Sequence, residues 1–148
     1  MGKIEARLAE LGIELPEPPQ AVANYVPVVQ SGNLVFVSGQ VSANVKGKAG
    51  KDVDPELAYE AARQCAISLL AQARGALGNL DRIVRVVRLG GFVNCQPDFT
   101  DIPQVINGAS DLMVEVFGEA GKHARAAVGC PSLPMGVTVE VEAVLEVD

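Results

Sequence analysis

The chain has 148 residues, 49% of them hydrophobic and 20% charged, with a formal net charge of -6. That length closes a sizeable core and sets a prior of one domain. The acidic balance argues against a nucleic-acid partner, which needs clustered Lys and Arg to displace counterions. No apolar run approaches the ~20 residues of a membrane span. The charges in Met1–Arg7 stand where a secretory leader needs an apolar stretch, so a cytoplasmic protein is expected.

Apolar Ile4, Leu8 and Leu11 have the spacing of a short amphipathic helix, ended by Gly12. Pro16-Glu17-Pro18-Pro19 reads as a stiff extended linker, so residues 1–20 form an added N-terminal helix and tether. A first strand is predicted over Tyr25–Val29. It turns at Ser31-Gly32-Asn33 and returns through Leu34–Val37, with Ser38-Gly39-Gln40 at the strand's end. The Gly- and Lys-rich stretch from Ser42 to Val53 reads as a mobile surface loop.

A long helix begins where Asp54 caps, Pro55 fits the first turn and Glu56 complements the dipole. Its apolar stripe runs from Ala58 through Cys65 and Leu69 to Leu77, before Gly78-Asn79. On that stripe Cys65 is a core filler rather than a reactive thiol. A strand follows from Ile83 to Leu89, continuing through Gly90-Gly91 into Phe92-Val93-Asn94. Its Arg82, Arg85 and Arg88 do not share one strand face, which fits ion pairs better than a binding patch. After a loop at Pro97–Asp101, a second long helix carries Val105, Ile106, Ala109, Leu112, Met113, Val116 and Phe117 on its stripe.

Two strands complete the chain, a short one at Arg125–Val128 and a long one from Val137 to Val147. The last alternates: Val137, Val139, Val141, Ala143, Leu145 and Val147 on one face, Thr138, Glu140, Glu142, Val144 and Glu146 on the other. The order of elements predicts an α+β two-layer domain over 1–148, a mixed β-sheet with two long helices packed on one face. The acidic sheet face and the sparse charge predict an interface between subunits.

The chain has no Gly-rich phosphate loop before a helix, no His-x-x-x-His and no Gly-x-Ser-x-Gly. Three cysteines without Cys-x-x-Cys spacing read as reduced thiols, with no metal site. The single histidine, His123, lies between Lys122 and Arg125, and no motif marks a nucleophile for it. Arg125 sits among Ala124, Ala126 and Ala127, where nothing bulky hides its planar fork. It can bind a carboxylate ligand bidentately or pair with Glu140 or Glu142, and residue chemistry leaves both readings open.

Tyr25, Leu34–Gln40 with its Ser-Gly-Gln, Asn107, Ala124-Arg125-Ala126-Ala127-Val128, Leu133-Pro134 and Val139–Val144 occur in an order that resembles the YjgF/YER057c/UK114 (Rid) family of enamine/imine deaminases. The resemblance implies a chorismate-mutase-like fold and a homotrimer with ligand clefts between subunits. It implies that Arg125 binds the carboxylate of a 2-imino acid and that Glu140 orients the attacking water. Tyr25, Ser38 and Asn107 would line the pocket, with backbone near Ala127 placing substrate, and no cofactor is needed. The product would be a 2-keto acid and ammonia. The alternative is a trimeric binder of small carboxylate metabolites without turnover.

The chain departs from the family pattern in places. Ala127 stands where well-studied members carry Cys, so thiol chemistry is excluded there. Ala23-Asn24-Tyr25 replaces Gly-Pro-Tyr, and the 97–103 loop is longer. These features resemble a longer subgroup labelled endoribonuclease or translation inhibitor, a label the acidic composition does not favour.

Overall fold

A computed structural model describes residues 2–18, 20 and 23–148. Pro19 of the expected linker lies outside the described residues. Five strands form one mixed sheet in the order β1-β2-β5-β3-β4. They are β1 (Val28–Ser31), β2 (Leu34–Val41), β3 (Ile83–Asn94), β4 (Ala124–Cys130) and β5 (Val139–Val147). The helices are α1 (Lys3–Glu10), α2 (Pro55–Leu77) and α3 (Ile102–Phe117). β4 runs parallel to β3 while the other pairs are antiparallel. A parallel neighbour needs a crossover, and α3 supplies it.

β5 occupies the centre because its alternation buries one whole face: Val139, Val141, Ala143, Leu145 and Val147. Glu140, Glu142, Val144 and Glu146 stand half-buried on the opposite, helix-free face. α2 starts as its sequence dictates, with the Asp54 carboxylate accepting from Leu57 N at 2.8 Å. Small residues let α2 and α3 approach closely; a Cβ on Gly108 would lie 2.0 Å from the Tyr59 carbonyl oxygen. Outside that contact the Tyr59 hydroxyl donates to Asp111 at 2.7 Å and Arg63 pairs with Glu115 at 2.9 Å. α1 lacks a capping side chain of its own. Asp81, far along the chain, accepts from Lys3 N and Ile4 N at 2.8 Å each, and those bonds hold its carboxyl below the usual range.

Several expected boundaries move. The first strand begins at Val28 rather than Tyr25, because Pro27 has no N–H to give the ladder. Ser38-Gly39-Gln40 lies inside β2, where the register shifts between Val37 and Gln40 as a bulge. The stretch from Ser42 to Val53 is not a loose loop. Lys46 bridges to Val137 and Ala49 to Cys95, with Ala49 and Val53 buried. Gly47 and Gly50 adopt φ of 111° and 83°, so the glycines there serve tight turns. Arg82 and Arg88 form ion pairs, with Asp148 and Glu142, each at 3.2 Å.

No helix among the described residues is long and apolar enough to cross a membrane.

Candidate active site

β4 is an edge strand, and its register with β3 fixes which way each side chain goes. Arg125 lies beside Leu89 and Ala127 beside Gly91. A Cβ on Gly91 would strike the Ile106 side chain of α3 at 2.6 Å, so this row faces the helices. Arg125 is exposed there, and its Nη1 donates to Asn107 Oδ1 at 2.8 Å and to Ser110 Oγ at 3.2 Å. Asn107 and Ser110 are three residues apart on α3, which puts both on one helix face. Both bonds come from Nη1, so Nε and Nη2 remain as a fork for a carboxylate.

A further layer supports this arginine. Ser110 Oγ lies 2.8 Å from His123 Nε2, and His123 Nδ1 lies 2.6 Å from the Gly121 carbonyl oxygen. A carbonyl only accepts, so Nδ1 carries a proton, and in the neutral ring Nε2 accepts a hydrogen bond donated by the Ser110 hydroxyl. The Ser110 oxygen then has a lone pair to present to Arg125. His123 thus sits behind the arginine and acts on it through the Ser110 hydroxyl. Sequence reading passed over Ser110, although its three-residue spacing from Asn107 was visible.

Glu140 belongs to a different surface. It pairs across the sheet with Phe92 and Val41, on the face away from the helices. Arg125 and Glu140 therefore point to opposite sides of the sheet, with β3 between their strands. The ion pair that sequence chemistry allowed between Arg125 and Glu140 or Glu142 does not form; Glu142 binds Arg88 instead. Alternation assigns faces within one strand but cannot relate two strands whose pairing is unknown, and the expectation failed there.

The Glu140 carboxylate lies against the β2 bulge. A Cβ on Gly39 would sit 2.1 Å from Glu140 Oε2, so only glycine leaves the carboxylate in place. Burial raises its pKa, and the neighbouring Glu142 charge adds to the effect. Ser38 donates its hydroxyl to Val26 O at 3.0 Å and its N–H to Pro27 O at 2.9 Å, tying the 25–27 segment to β2. Tyr25, at 49% exposure, stands on that segment. The structure thus gathers Arg125, Asn107 and Ala127 on one side and places Glu140 and Ser38 on other strands.

Gly39→Ala is expected to push the Glu140 carboxylate aside while leaving the thermal midpoint close to wild type, since only a flexible side-chain end must move. A large fall in midpoint would instead place the backbone, not the carboxylate, under strain.

Cys65 is fully buried, and burial raises its thiol pKa far above the ordinary value, in keeping with a core filler. Among the described residues no three His, Cys, Asp or Glu side chains gather as metal ligands.

Comparison with known proteins places this arrangement in context. The model of the YjgF/chorismate mutase-like family, which also carries the provisional label endoribonuclease, matches residues 5–146. Protein TCP17 of Trypanosoma cruzi is 45% identical, covering 99% of this chain and 96% of its own. The crystal structure of Atu1372 from Agrobacterium tumefaciens, described as of unknown function, has a TM-score of 0.92 at 50% identity, covering 98% of this chain and 92% of that one. A more distant relative in Dermatophagoides farinae, named 2-iminobutanoate/2-iminopropanoate deaminase, is 29% identical over 92% of this chain and 95% of its own.

Proposed function

We propose, for a chain that belongs to the YjgF/chorismate mutase-like family, that it hydrolyses small 2-imino acids to 2-keto acids and ammonia. The observation that carries the reading is the Arg125 fork, anchored by Asn107 and Ser110 through one nitrogen and open at the other two. The name of the Dermatophagoides relative points to the same substrate class.

Arg125 and Glu140 can serve one substrate only if two copies meet, the arginine surface of one against the glutamate surface of the next. Two unlike surfaces make a heterologous contact, which gives a ring when its rotation closes. The resemblance to the family supports a ring of three. Phe36 at 45% exposure on β2 and Val128 at 47% on the β4 edge are apolar groups such a contact would cover.

In the cleft the substrate carboxylate lies on Arg125, which holds the imine carbon toward Glu140 of the neighbouring copy. Glu140 takes a proton from water as the oxygen attacks that carbon. The imine nitrogen receives that proton, giving a neutral carbinolamine; the carbinolamine hydroxyl then passes its own proton to the nitrogen through the Glu140 carboxylate, the C=O forms as the C–N bond breaks, and ammonia leaves the 2-keto acid behind. Imines hydrolyse unaided, so orientation and one positioned base are sufficient. A raised pKa makes Glu140 a stronger base than an ordinary carboxylate, which favours turnover over binding alone. The free thiols of Cys65, Cys95 and Cys130 suit a reducing cytoplasm.

The test is a coupled assay in which an amino-acid oxidase generates imino acids and semicarbazide traps those that survive. Less trapped imine with the protein present supports the deaminase. Trapping equal to buffer, together with measurable 2-keto acid binding, would replace it with a carboxylate binder.

A further inference from the structure

The loop before α3 lines a cavity. A space of ≈ 430 Å³ opens between residues 95–102 and the C-terminal end of β4. Cys95, Phe99, Ile102, Cys130 and Pro131 give it apolar walls, and Lys48 is the charged residue among those lining it. The Lys48 ammonium donates to Asn94 Oδ1 at 3.0 Å and to the Pro131 carbonyl oxygen, with no carboxylate among its partners.

The cavity lies on the same face of β4 as the arginine. Gly129, which lines it, follows Arg125 and Ala127 in the row that faces α3, since a Cβ there would meet Ile102 Cδ1 at 2.9 Å. The row between is low: Ala127 offers a methyl group and Gly129 no side chain at all. α3 runs the other way above it, with Ile102 at the cavity and Asn107 at the guanidinium. Five helical residues separate these two, about 7.5 Å along the axis. An extended side chain as long as methionine's reaches about 6 Å from the carboxylate carbon.

We infer that this cavity receives the side chain of the substrate, and that the chain acts on 2-imino acids with long apolar side chains. The inference rests on the deaminase reading for the carboxylate at Arg125, and it adds the substrate class. A side chain of alanine's size leaves the cavity empty, whereas one of leucine's or methionine's size fills its apolar walls. A cationic side chain of similar length meets the Lys48 ammonium and is refused. Each methylene moved from water to such walls is worth about fourfold in affinity, so leucine's side chain gains at least about tenfold over alanine's.

Binding of 2-keto acids to the intact protein tests this without depending on turnover. Calorimetry would compare the keto acids derived from alanine, leucine and arginine, on wild type, Thr100→Trp and Phe99→Ala. Thr100 is an exposed residue at the cavity, so tryptophan there fills the space with little demand on the core. The expected result is leucine's keto acid at least about tenfold tighter than the other two, with that ratio lost in Thr100→Trp. Phe99→Ala, which widens the cavity and is titrated in addition with the keto acid derived from phenylalanine, shifts preference to that larger ligand. Equal affinity for the alanine and leucine forms, an unchanged ratio in both variants, or no binding of any keto acid overturns the inference. Selective binding without imine hydrolysis would retain the cavity assignment and sink the deaminase. Hydrolysis with no side-chain preference would do the reverse.

Discussion

Arg125→Ala is expected to lower kcat/KM for 2-imino acids by about thirtyfold to several thousandfold, the range that about 2–5 kcal/mol of lost charge-assisted binding implies. The side chain ends on an exposed strand edge, and its two partners, Asn107 and Ser110, can turn to water when it is gone. The thermal midpoint therefore stays near wild type, as for most surface changes. Arg125→Lys restores charge but not the fork: one ammonium cannot satisfy Asn107, Ser110 and both oxygens of a carboxylate together. It recovers only a minor part of the rate. Steady-state kinetics on the three proteins check this, and wild-type kcat/KM in Arg125→Ala would remove the arginine from the site.

Glu140→Gln separates catalysis from stability. With Glu140 as the proposed base, its loss is expected to lower kcat by about 10²- to 10⁴-fold. Stability moves the other way. Burial and Glu142 raise the Glu140 pKa in the folded chain, so the ionised form costs the folded state more than the unfolded one. The cost is present at pH above the raised pKa and vanishes as acid protonates the group. The glutamine variant is thus the more stable protein at neutral pH, and its advantage shrinks below the pKa of the carboxyl. Thermal midpoints at neutral and acidic pH read this directly; a variant less stable at neutral pH contradicts the assignment.

The fold was largely legible. The unbroken alternation of Val139–Val147 announced a central strand, and Asp54-Pro55-Glu56 announced α2 through groups that the helix end requires. The strand neighbours were hidden, because period-two patterning assigns a face but not a partner. Arg125–Val128 precedes β5 directly in the chain, yet the α3 crossover sets it parallel to β3 at the far edge, away from β5. Glycines misled twice. Those at 47 and 50 looked like looseness and are tight turns; Gly39 looked like a strand end and is a bulge cleared for a carboxylate.

Within the site, Arg125 stood out by its own chemistry and again through the resemblance, Asn107 through the resemblance alone, and the structure joins them at 2.8 Å. Ser110 was missed and His123 was named without its partner, because no motif marks a residue that touches only another side chain. The opposite orientation of Arg125 and Glu140 lies beyond any reading of the residues one by one, since it depends on the pairing of strands distant in sequence.

Co-assembly of two inactive variants tests the shared cleft most directly. Arg125→Ala retains Glu140, and Glu140→Gln retains Arg125. Denatured together and refolded, or co-expressed with separate tags and purified as mixed assemblies, they give clefts with both residues intact where unlike copies meet in the productive order. Random mixing then restores about a quarter of wild-type activity. Activity no higher than that of the separate variants, in assemblies shown to contain both chains, would contradict a cleft built from the arginine face of one copy and the glutamate face of the next.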